Sequence, residues 1–252
     1  SGESRNEEAW LKIEPDGQIT ALTGISPHGQ GSATAFAQVV ADQLGVTPGD
    51  IQVLHGDTAI VPSGGGTGAT RATVVGGSAL YLVAEEARGK LGSIAAHQLG
   101  CSEEDVVMEE GQAFSQHDRG RTVAFRDLAS AAYNEEQLPP GLTAGLDFSG
   151  SFTLGQPYQS PHSFSTHVVV VQVSKENGVI EILNYTAIHD CGRILNPMLV
   201  EGQVHGGIAQ GIGQALWEGM EYTPEGQPLT ASLMDYAMPM AQGLPELHLD
   251  TY

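Results

Sequence analysis

Glycine is concentrated where helices are predicted, and this placement constrains the fold more than any other feature of the sequence. The chain has 33 glycines among 252 residues. Glycine permits tight turns and close approach of backbones, but inside a helix it costs about 1 kcal/mol relative to Ala. A helix with as many glycines as 202–213 must therefore gain something from a neighbour, such as another backbone or a flat ligand.

Hydrophobic periodicity predicts helices and strands without regular alternation. Helices are expected over 33–44, 72–96, 123–133 and 198–218, and hairpins over 9–26, 103–116 and 164–189, with a last hairpin turning at Pro224-Glu225-Gly226. This mixture favours an α+β fold, or an irregular α/β fold, with two lobes.

The polar segment 134–141, with Pro139-Pro140, is the best candidate for an internal linker. It predicts a first lobe over 1–140, which carries the Gln30 and Gly64–Arg71 loops. The second lobe is predicted over 141–252 and carries the loop and helix of Asp190–Glu218.

Composition excludes several classes of partner. Asp and Glu number 30 against 10 Lys and Arg, a formal charge of -20, which disfavours free nucleic acid and anionic membranes. The sequence has no apolar run of about 18 residues, so no membrane span is expected. The 2 cysteines exclude a disulfide scaffold and a zinc ribbon. They fit a cytoplasmic location, with periplasmic export of a full complex left open.

A glycine loop, His28-Gly29-Gln30-Gly31-Ser32, directly precedes the first predicted helix. Its backbone N–H groups and the positive end of the helix dipole suit a phosphate group. The amide of Gln30 can pair with the edge of a heterocycle. An ordinary helix-entry turn would have the same sequence, so both interpretations stay open.

A second loop, Gly64 to Arg71, is the most glycine-dense stretch. Gly64, Gly66 and Ala69 match the G-x-G-x-x-A spacing of a dinucleotide fingerprint. That fingerprint needs an acidic residue at the end of the next strand, and Glu85 lies in a helical pattern instead, so a Rossmann site is rejected. A loop that approaches a ligand and a mobile surface loop both remain possible.

The third glycine-bearing stretch is the predicted helix over 202–213. Its glycines form flat strips at four-residue spacing, which either a ligand or tight helix packing would explain. Gln203 and Gln210 favour a ligand, because a buried amide needs partners. Cys191 has no evident base for nucleophilic chemistry and is interpreted as a small buried residue. The 9 histidines show no convincing metal-ligand spacing.

The order of these motifs resembles one family. Gly29-Gln30-Gly31 is followed by QVVADQLGVTPGDIQVLHGDT, Gly66 to Arg71, HDCGRILNPMLVEGQVHGGIAQGIGQALWE, LMDYAMP and LPEL. Over nearly its whole length the chain resembles the molybdenum-cofactor-binding subunit of the xanthine dehydrogenase, aldehyde oxidoreductase and carbon monoxide dehydrogenase family. The resemblance implies the two-lobed molybdopterin-binding domain of a molybdenum hydroxylase.

The resemblance also implies a chemistry. The cofactor is a molybdopterin, in bacteria often the cytosine dinucleotide, and its dithiolene rather than a protein side chain holds the molybdenum. Such enzymes hydroxylate a carbon centre of an aldehyde, a purine or an N-heterocycle, or oxidise carbon monoxide, with water as the oxygen source. Electrons leave through iron–sulfur and FAD groups on partner subunits or domains.

The cofactor-binding residues implied by the resemblance come from both lobes. Gln30 and its glycines would line the pterin and phosphates, with Ala69 and Thr70 beside the pterin–metal region. Many relatives have Ser where Thr70 stands. Gln203 would contact the pterin, and Asn196 would lie near the dinucleotide or phosphate part. The full set is His28, Gly29, Gln30, Gly31, Gly68, Ala69, Thr70, Arg71, Asn196 and Gln203.

Two departures from the family pattern limit what this chain is expected to do alone. The catalytic Glu of the family lies in a glycine-rich motif beyond the position of Tyr252, and nothing here matches the earlier half of the family's large subunit. The expected partners are that remaining half, the iron–sulfur and flavin subunits and a small-molecule substrate. The alternative is a stand-alone, non-catalytic pterin-binding, nucleotide-binding or assembly module.

Overall fold

The chain folds into two compact units, Ser1–Pro161 and His162–Tyr252. The structure is a computed structural model that describes residues 5–68, 70–155 and 162–252. Each unit contains a sheet covered by helix on one face, so the predicted α+β class is confirmed. Within the described residues, no helix combines the length and apolar character that a bilayer crossing requires.

The main sheet of the first unit is built around a hairpin. Strands β1 (Asn6–Ile13) and β2 (Ile19–Thr23) pair antiparallel, as the sequence predicts. Helix α1 (Ser32–Leu44) then crosses to β3 (Ile51–Leu54), which pairs parallel with β2. A later strand, β7 (Asp147–Thr153), pairs antiparallel with the other side of β1. The strand order is β3-β2-β1-β7.

Two helices cover one face of this sheet. The predicted helix from residue 72 begins as a π-helical turn, Ala72–Gly77, and continues as α2 (Ser78–Leu99). Strand β1 buries alternate residues against α1 and α2, as a half-buried strand should. Fully buried side chains of this core include Leu11, Ile13, Ile19, Phe36, Leu80, Leu91 and Ile94.

A three-stranded antiparallel meander completes the first unit. It consists of β4 (Val106–Glu109), β5 (Gln112–Ser115) and β6 (Asp118–Ala124), followed by α3 (Phe125–Ala131). The sequence predicts β4, β5 and α3 but interprets the residues of β6 as a basic turn. Strand β6 is almost entirely exposed, so its ladder with β5 defines it rather than an apolar pattern.

The first unit extends beyond the linker predicted at 134–141. Strand β7 pairs with β1 over seven positions, from Asn6↔Thr153 to Lys12↔Asp147. Leu146, just before β7, is fully buried in the core of this unit. The lobe boundary predicted between residues 140 and 141 is therefore replaced by the division after residue 161, because β7 adds to the sheet that β1 begins.

The second unit contains one three-stranded sheet and one long helix. Strands β8 (Phe164–Val173) and β9 (Ile180–Asp190) form the predicted hairpin. Helix α4 (Pro197–Leu216) follows, and β10 (Leu247–Thr251) pairs parallel with β9. The small core consists of Ala187, Ile208 and Ile212, with Tyr185 and Leu247 among the partly buried neighbours.

The end of the second unit differs from the prediction. The expected hairpin at Pro224-Glu225-Gly226 is reduced to a single bridge between Tyr222 and Pro228. Strand β10 was not predicted, because a five-residue strand with one covered face carries little periodic signal.

The two units share a topology. In each, an antiparallel hairpin is followed by a helix and then by a strand parallel to the second hairpin strand. They differ at the outer edge of the first hairpin strand. Strand β7 covers that edge of β1, whereas among the described residues no strand pairs with the corresponding edge of β8. All ten residues of β8 are exposed.

The glycines that end α1 and α2 provide a test of the packing around the meander. Gly45 and Gly100 both adopt the left-handed conformation, with φ of 67° and 68°. A Cβ on Gly45 would lie 2.3 Å from the carbonyl oxygen of Met108, whereas one on Gly100 would meet nothing within 4 Å. In urea titrations we expect Gly100→Ala to lose about 1 kcal/mol and Gly45→Ala about 3 kcal/mol. Equal losses would contradict the close approach.

Candidate functional site

The two predicted glycine loops of the first unit meet in space. One follows β2 over residues 24–31, and the other covers residues 63–68. Their backbones touch at Gly24 and Gly64, where a Cβ on Gly24 would lie 2.3 Å from the Cα of Gly64. The hydroxyl of Thr67 also donates a hydrogen bond of 2.5 Å to the carbonyl oxygen of Ser26. The loops, which are separate in sequence, therefore form one surface.

The first loop leaves the start of α1 open. Gly31 precedes the helix in the left-handed conformation, and among the described residues no side chain caps the first turn. Gly29 has φ of 102°, and a Cβ there would meet no described atom within 4 Å. Gln30 accepts a hydrogen bond from the backbone N–H of exposed His28. This end of α1 can receive an anionic or heterocyclic group.

The second loop is open on one side, and the backbone just after it is strained. In the part of the chain that the structure describes, no atom lies within 4 Å of a Cβ built on Gly66 or Gly68. Exposed Thr70 has φ of 59°, a left-handed conformation that costs a β-branched residue about 1–2 kcal/mol. The neighbouring candidate Ala69 lies outside the described residues. Open glycines and backbone strain are both typical of a loop that a ligand approaches.

Arg71 is placed differently from the rest of the predicted set. It is 2% exposed, and its guanidinium pairs with the carboxylate of Glu7 on β1. Arg71 is therefore turned into the protein beneath the loop and does not offer its charge at the surface. Sequence reasoning missed Glu7, although the alternating burial of β1 extends to it.

A π-helical turn lies against the first loop. The π-helical turn Ala72–Gly77 buries Val75, Gly76 and Gly77. A Cβ on Gly76 would lie 2.6 Å from Cγ1 of Ile25, so the turn packs directly against the start of the first loop. Single π turns within helices are rare and occur often at functional sites.

The predicted residues of the second unit lie at α4. Asn196 caps this helix by accepting a hydrogen bond of 3.0 Å from the backbone N–H of Leu199. Gln203 and Gln210 are exposed, so the expectation that their amides are buried is wrong. Cys191 is also exposed, contrary to its interpretation as a small buried residue, because it lies in the loop before α4 rather than in the core.

The glycine strip of α4 is open within the described part of the second unit. No described atom of that unit lies within 4 Å of a Cβ built on Gly202, Gly206, Gly207 or Gly211. Gly213 is different, because its Cβ would lie 2.3 Å from Cγ of Pro239. Close packing within the second unit therefore explains Gly213 and leaves the strip available to something else.

Three histidines of the second unit, His167, His189 and His205, lie beside other polar or aromatic groups. Nδ1 of His167 lies 3.0 Å from the hydroxyl of Tyr185, and its ring is 5.0 Å from that of His189. Burial, followed by the neighbouring His167, lowers the pKa of His189. Nδ1 of His205 lies 2.9 Å from the carbonyl oxygen of Glu201 within α4. The described part of the chain contains no group of three His, Cys, Asp or Glu side chains placed to hold a metal.

A separate groove of about 500 Å³ lies on the first unit, between α2 and the start of β4. Tyr81, Arg88 and Met108 are among its lining residues. None of the predicted cofactor-binding residues lines it, so the glycine loops, and not this groove, remain the candidate site.

Comparison with known proteins connects this geometry to a family. The sequence model of the molybdopterin cofactor-binding domain matches residues 1–245. The chain belongs to this family. The glycine loops and α4 therefore lie in a domain whose defining ligand is the molybdopterin cofactor.

Relatives and solved structures match this chain over nearly its whole length. The large chain of carbon monoxide dehydrogenase from Hydrogenophaga pseudoflava is 34% identical over 95% of this chain and 29% of its own length. The large subunit of nicotine 6-hydroxylase from Paenarthrobacter nicotinovorans is also 34% identical, over 98% of this chain and 30% of its own length. The structure of quinoline 2-oxidoreductase from Pseudomonas putida 86 superposes on the chain with a TM-score of 0.88 and 32% sequence identity. The match covers 98% of this chain and 31% of the quinoline 2-oxidoreductase chain.

These matches confirm the resemblance and the fold. The chain spans less than a third of the length of these relatives. The family and the molybdopterin-binding fold are thereby shown for this stretch.

Substitutions on α4 can test which of its glycines are packed and which are on an open surface. Gly206→Ala should raise the free energy of unfolding by about 1 kcal/mol, because Ala favours the helix and its methyl group meets open space. Gly213→Ala, on the same helix, should lower it because of the contact with Pro239. Urea titration of the two variants measures both changes. A loss of stability in Gly206→Ala would show that the strip is packed.

Proposed function

We propose that this chain provides the second cofactor-binding part of a molybdenum hydroxylase. Its reaction would be hydroxylation of a carbon centre in an aldehyde, a purine or an N-heterocycle, or oxidation of carbon monoxide, with oxygen from water. One observation carries the proposal: the two glycine loops, joined at Gly24 and Gly64, meet beside the starts of α1 and of the helical segment from residue 72. Relatives named as carbon monoxide dehydrogenase and nicotine 6-hydroxylase support it.

The residues present fit a molybdopterin. The first turn of α1, which no described side chain caps, and the open backbone at Gly29 suit phosphate groups. The amide of Gln30 suits the polar edge of a pterin. Gly68 leaves room on the second loop for a planar group to approach the backbone. When bound, the cofactor would supply the molybdenum that performs the two-electron oxidation.

The second unit contributes through α4 in this proposal. Exposed Gln203 can donate to and accept from a pterin. Asn196 uses one oxygen lone pair to cap the helix, and its position at the helix start suits the dinucleotide or phosphate part. The base that activates the reacting oxygen is assigned to the Glu motif of the family, which has no counterpart among residues 1–252.

The remaining part of the molybdenum subunit is the proposed partner of the second unit. In the first unit, β7 pairs with the outer edge of β1, while the equivalent edge of β8 has no strand among the described residues. Phe164 and Val168 on β8 are 72% and 58% exposed, and Ile188 on β9 is 48% exposed. A strand edge with this many apolar residues is a pairing surface. We assign it to a further strand of the large subunit.

Iron–sulfur and flavin subunits or domains complete the proposed complex, because the electrons released by the oxidation must be passed on to an acceptor.

The cytoplasm is the proposed location, which agrees with the absence of a disulfide at Cys101 and Cys191 among the described residues. Substrate discrimination is assigned to residues outside this stretch.

Cofactor content tests the proposed function. In protein produced from its natural gene, we expect molybdenum and a releasable pterin. Gln30→Ala should lower the content of both at least about fivefold, because one or two hydrogen bonds to the pterin are lost. Gln43→Ala, which changes the same residue type at the far end of α1, is the control and should leave them unchanged. Metal analysis by mass spectrometry and pterin fluorescence give the readouts.

Two results would contradict the proposal. One is the absence of molybdenum and pterin from the unmodified protein. The other is an equal content in the Gln30→Ala and Gln43→Ala proteins, which would exclude the first loop as a cofactor contact.

Sedimentation tests the open edge of β8. The chain on its own should self-associate as concentration rises, because its apolar strand residues pair or pack between copies. Val168→Lys should shift the protein toward monomer. Val179→Lys, at a 60% exposed valine just before β9, is the matched control and should have little effect. A clean monomer at high concentration for the unmodified chain would contradict the proposed surface.

A further inference from the structure

Glu7 occupies a position that belongs to the hydrophobic core. Strand β1 buries every second residue, and Glu7 stands in the same series as Ala9, Leu11 and Ile13. It is 1% exposed. A carboxylate in such a place needs a charged partner and hydrogen bonds, because desolvation of an isolated charge is very unfavourable.

The partner is Arg71, which joins β1 to the second glycine loop. Nη2 of Arg71 lies 2.5 Å from Oε2 of Glu7, and the two side chains are 3% and 0% exposed. The guanidinium also donates to the carbonyl oxygens of Asn6 and Gly66. It lies so close to Gly65 that a Cβ there would be 2.7 Å from Nη2. One planar group thus contacts a strand and a loop at the same time.

The carboxylate of Glu7 reaches the loop directly as well. Its Oε2 accepts a hydrogen bond of 3.1 Å from the backbone N–H of Gly65. Its Oε1 has no hydrogen-bond partner among the described residues. This oxygen lies between the loops, 2.5 Å and 3.1 Å from Cβ positions built on Gly24 and Gly64. The ion pair therefore lies directly beneath the place where the two loops touch.

Stability alone does not account for this arrangement. Apolar residues of similar volume often stabilise a core as well as a buried ion pair or better. Here one carboxylate oxygen is also left without a hydrogen bond from the described residues, which lowers the stability further. An apolar pair could not form hydrogen bonds to the backbone at Gly65 and Gly66 and so could not hold it in place.

We infer that Glu7 is a positioning residue that, through Arg71, sets the position of the 63–68 loop against which the cofactor binds. The inference rests on the proposed function, because it assigns this loop to the cofactor. Glu7 is not placed to act as a catalytic base, since its side chain has no exposed surface and is paired with Arg71.

Hydrogen exchange tests the positioning without any cofactor. In protein from cells grown without molybdate, the amides of residues 63–68 are compared with the amide of Leu91, which is fully buried in α2. Glu7→Gln keeps the size of the side chain but removes its charge. We expect it to speed exchange of the loop amides relative to Leu91 by at least about tenfold, because the loop opens locally.

Two further variants separate position from stability. Leu128→Ala removes a fully buried side chain of α3, and should lower the unfolding temperature without changing the ratio of loop to core exchange. The double variant Glu7→Gln with Arg71→Met removes both charges. It should unfold at a higher temperature than Glu7→Gln alone, while its loop exchange stays fast.

Molybdenum and pterin content per folded chain gives the second readout. It should fall at least about fivefold in Glu7→Gln and in the double variant, and stay unchanged in Leu128→Ala. The inference would be overturned if Glu7→Gln lowers the unfolding temperature but leaves the exchange of the loop amides relative to Leu91 unchanged. The ion pair would then contribute to stability only. If the unmodified protein lacks molybdenum, the proposed function fails, whereas the exchange result still reports on the positioning.

Discussion

Backbone contact between Gly24 and Gly64 is the constraint on which the candidate site depends. Two backbones can approach this closely only where neither residue has a Cβ. The contact joins the loop after β2 to the loop before the π-helical turn, although Gly24 and Gly64 are 40 positions apart in the sequence. The open starts of two helical segments thereby become neighbours, and the buried pair of Glu7 and Arg71 fixes the loop from below.

Periodicity predicted the strong elements and missed the weak ones. Hairpins β1–β2 and β8–β9 and the helices α1, α2 and α4 agree with the predicted spans, because each carries a full apolar face or a clear glycine stop. Strands β6, β7 and β10 were missed, since they are short or mostly exposed and depend on a ladder with a partner distant in sequence. The lobe boundary moved for the same reason, because β7 belongs with β1.

The sequence indicated which loops form the candidate site, but not how their side chains are placed in the fold. Glycine spacing and the family resemblance pointed to Gln30 and to the stretch ending at Arg71, yet nothing local reveals that the Arg71 side chain turns inward. A signal for Glu7 did exist, because extending the alternation of Ala9 and Leu11 upstream by one step places a carboxylate on the core face. Solvent exposure of Gln203 was not predictable, since it depends on what covers α4.

The exposure of strand β8 affects how long the protein is expected to persist in the cell. Four consecutive valines, Val168 to Val171, lie exposed on β8, whose outer edge pairs with no strand among the described residues. Chaperones and proteases recognise surfaces of this kind in incompletely assembled proteins. A copy that lacks its partner strand should be removed faster than an assembled one. In the proposed assembly, the cellular abundance of this domain would then follow how completely the strand that covers β8 is made and paired.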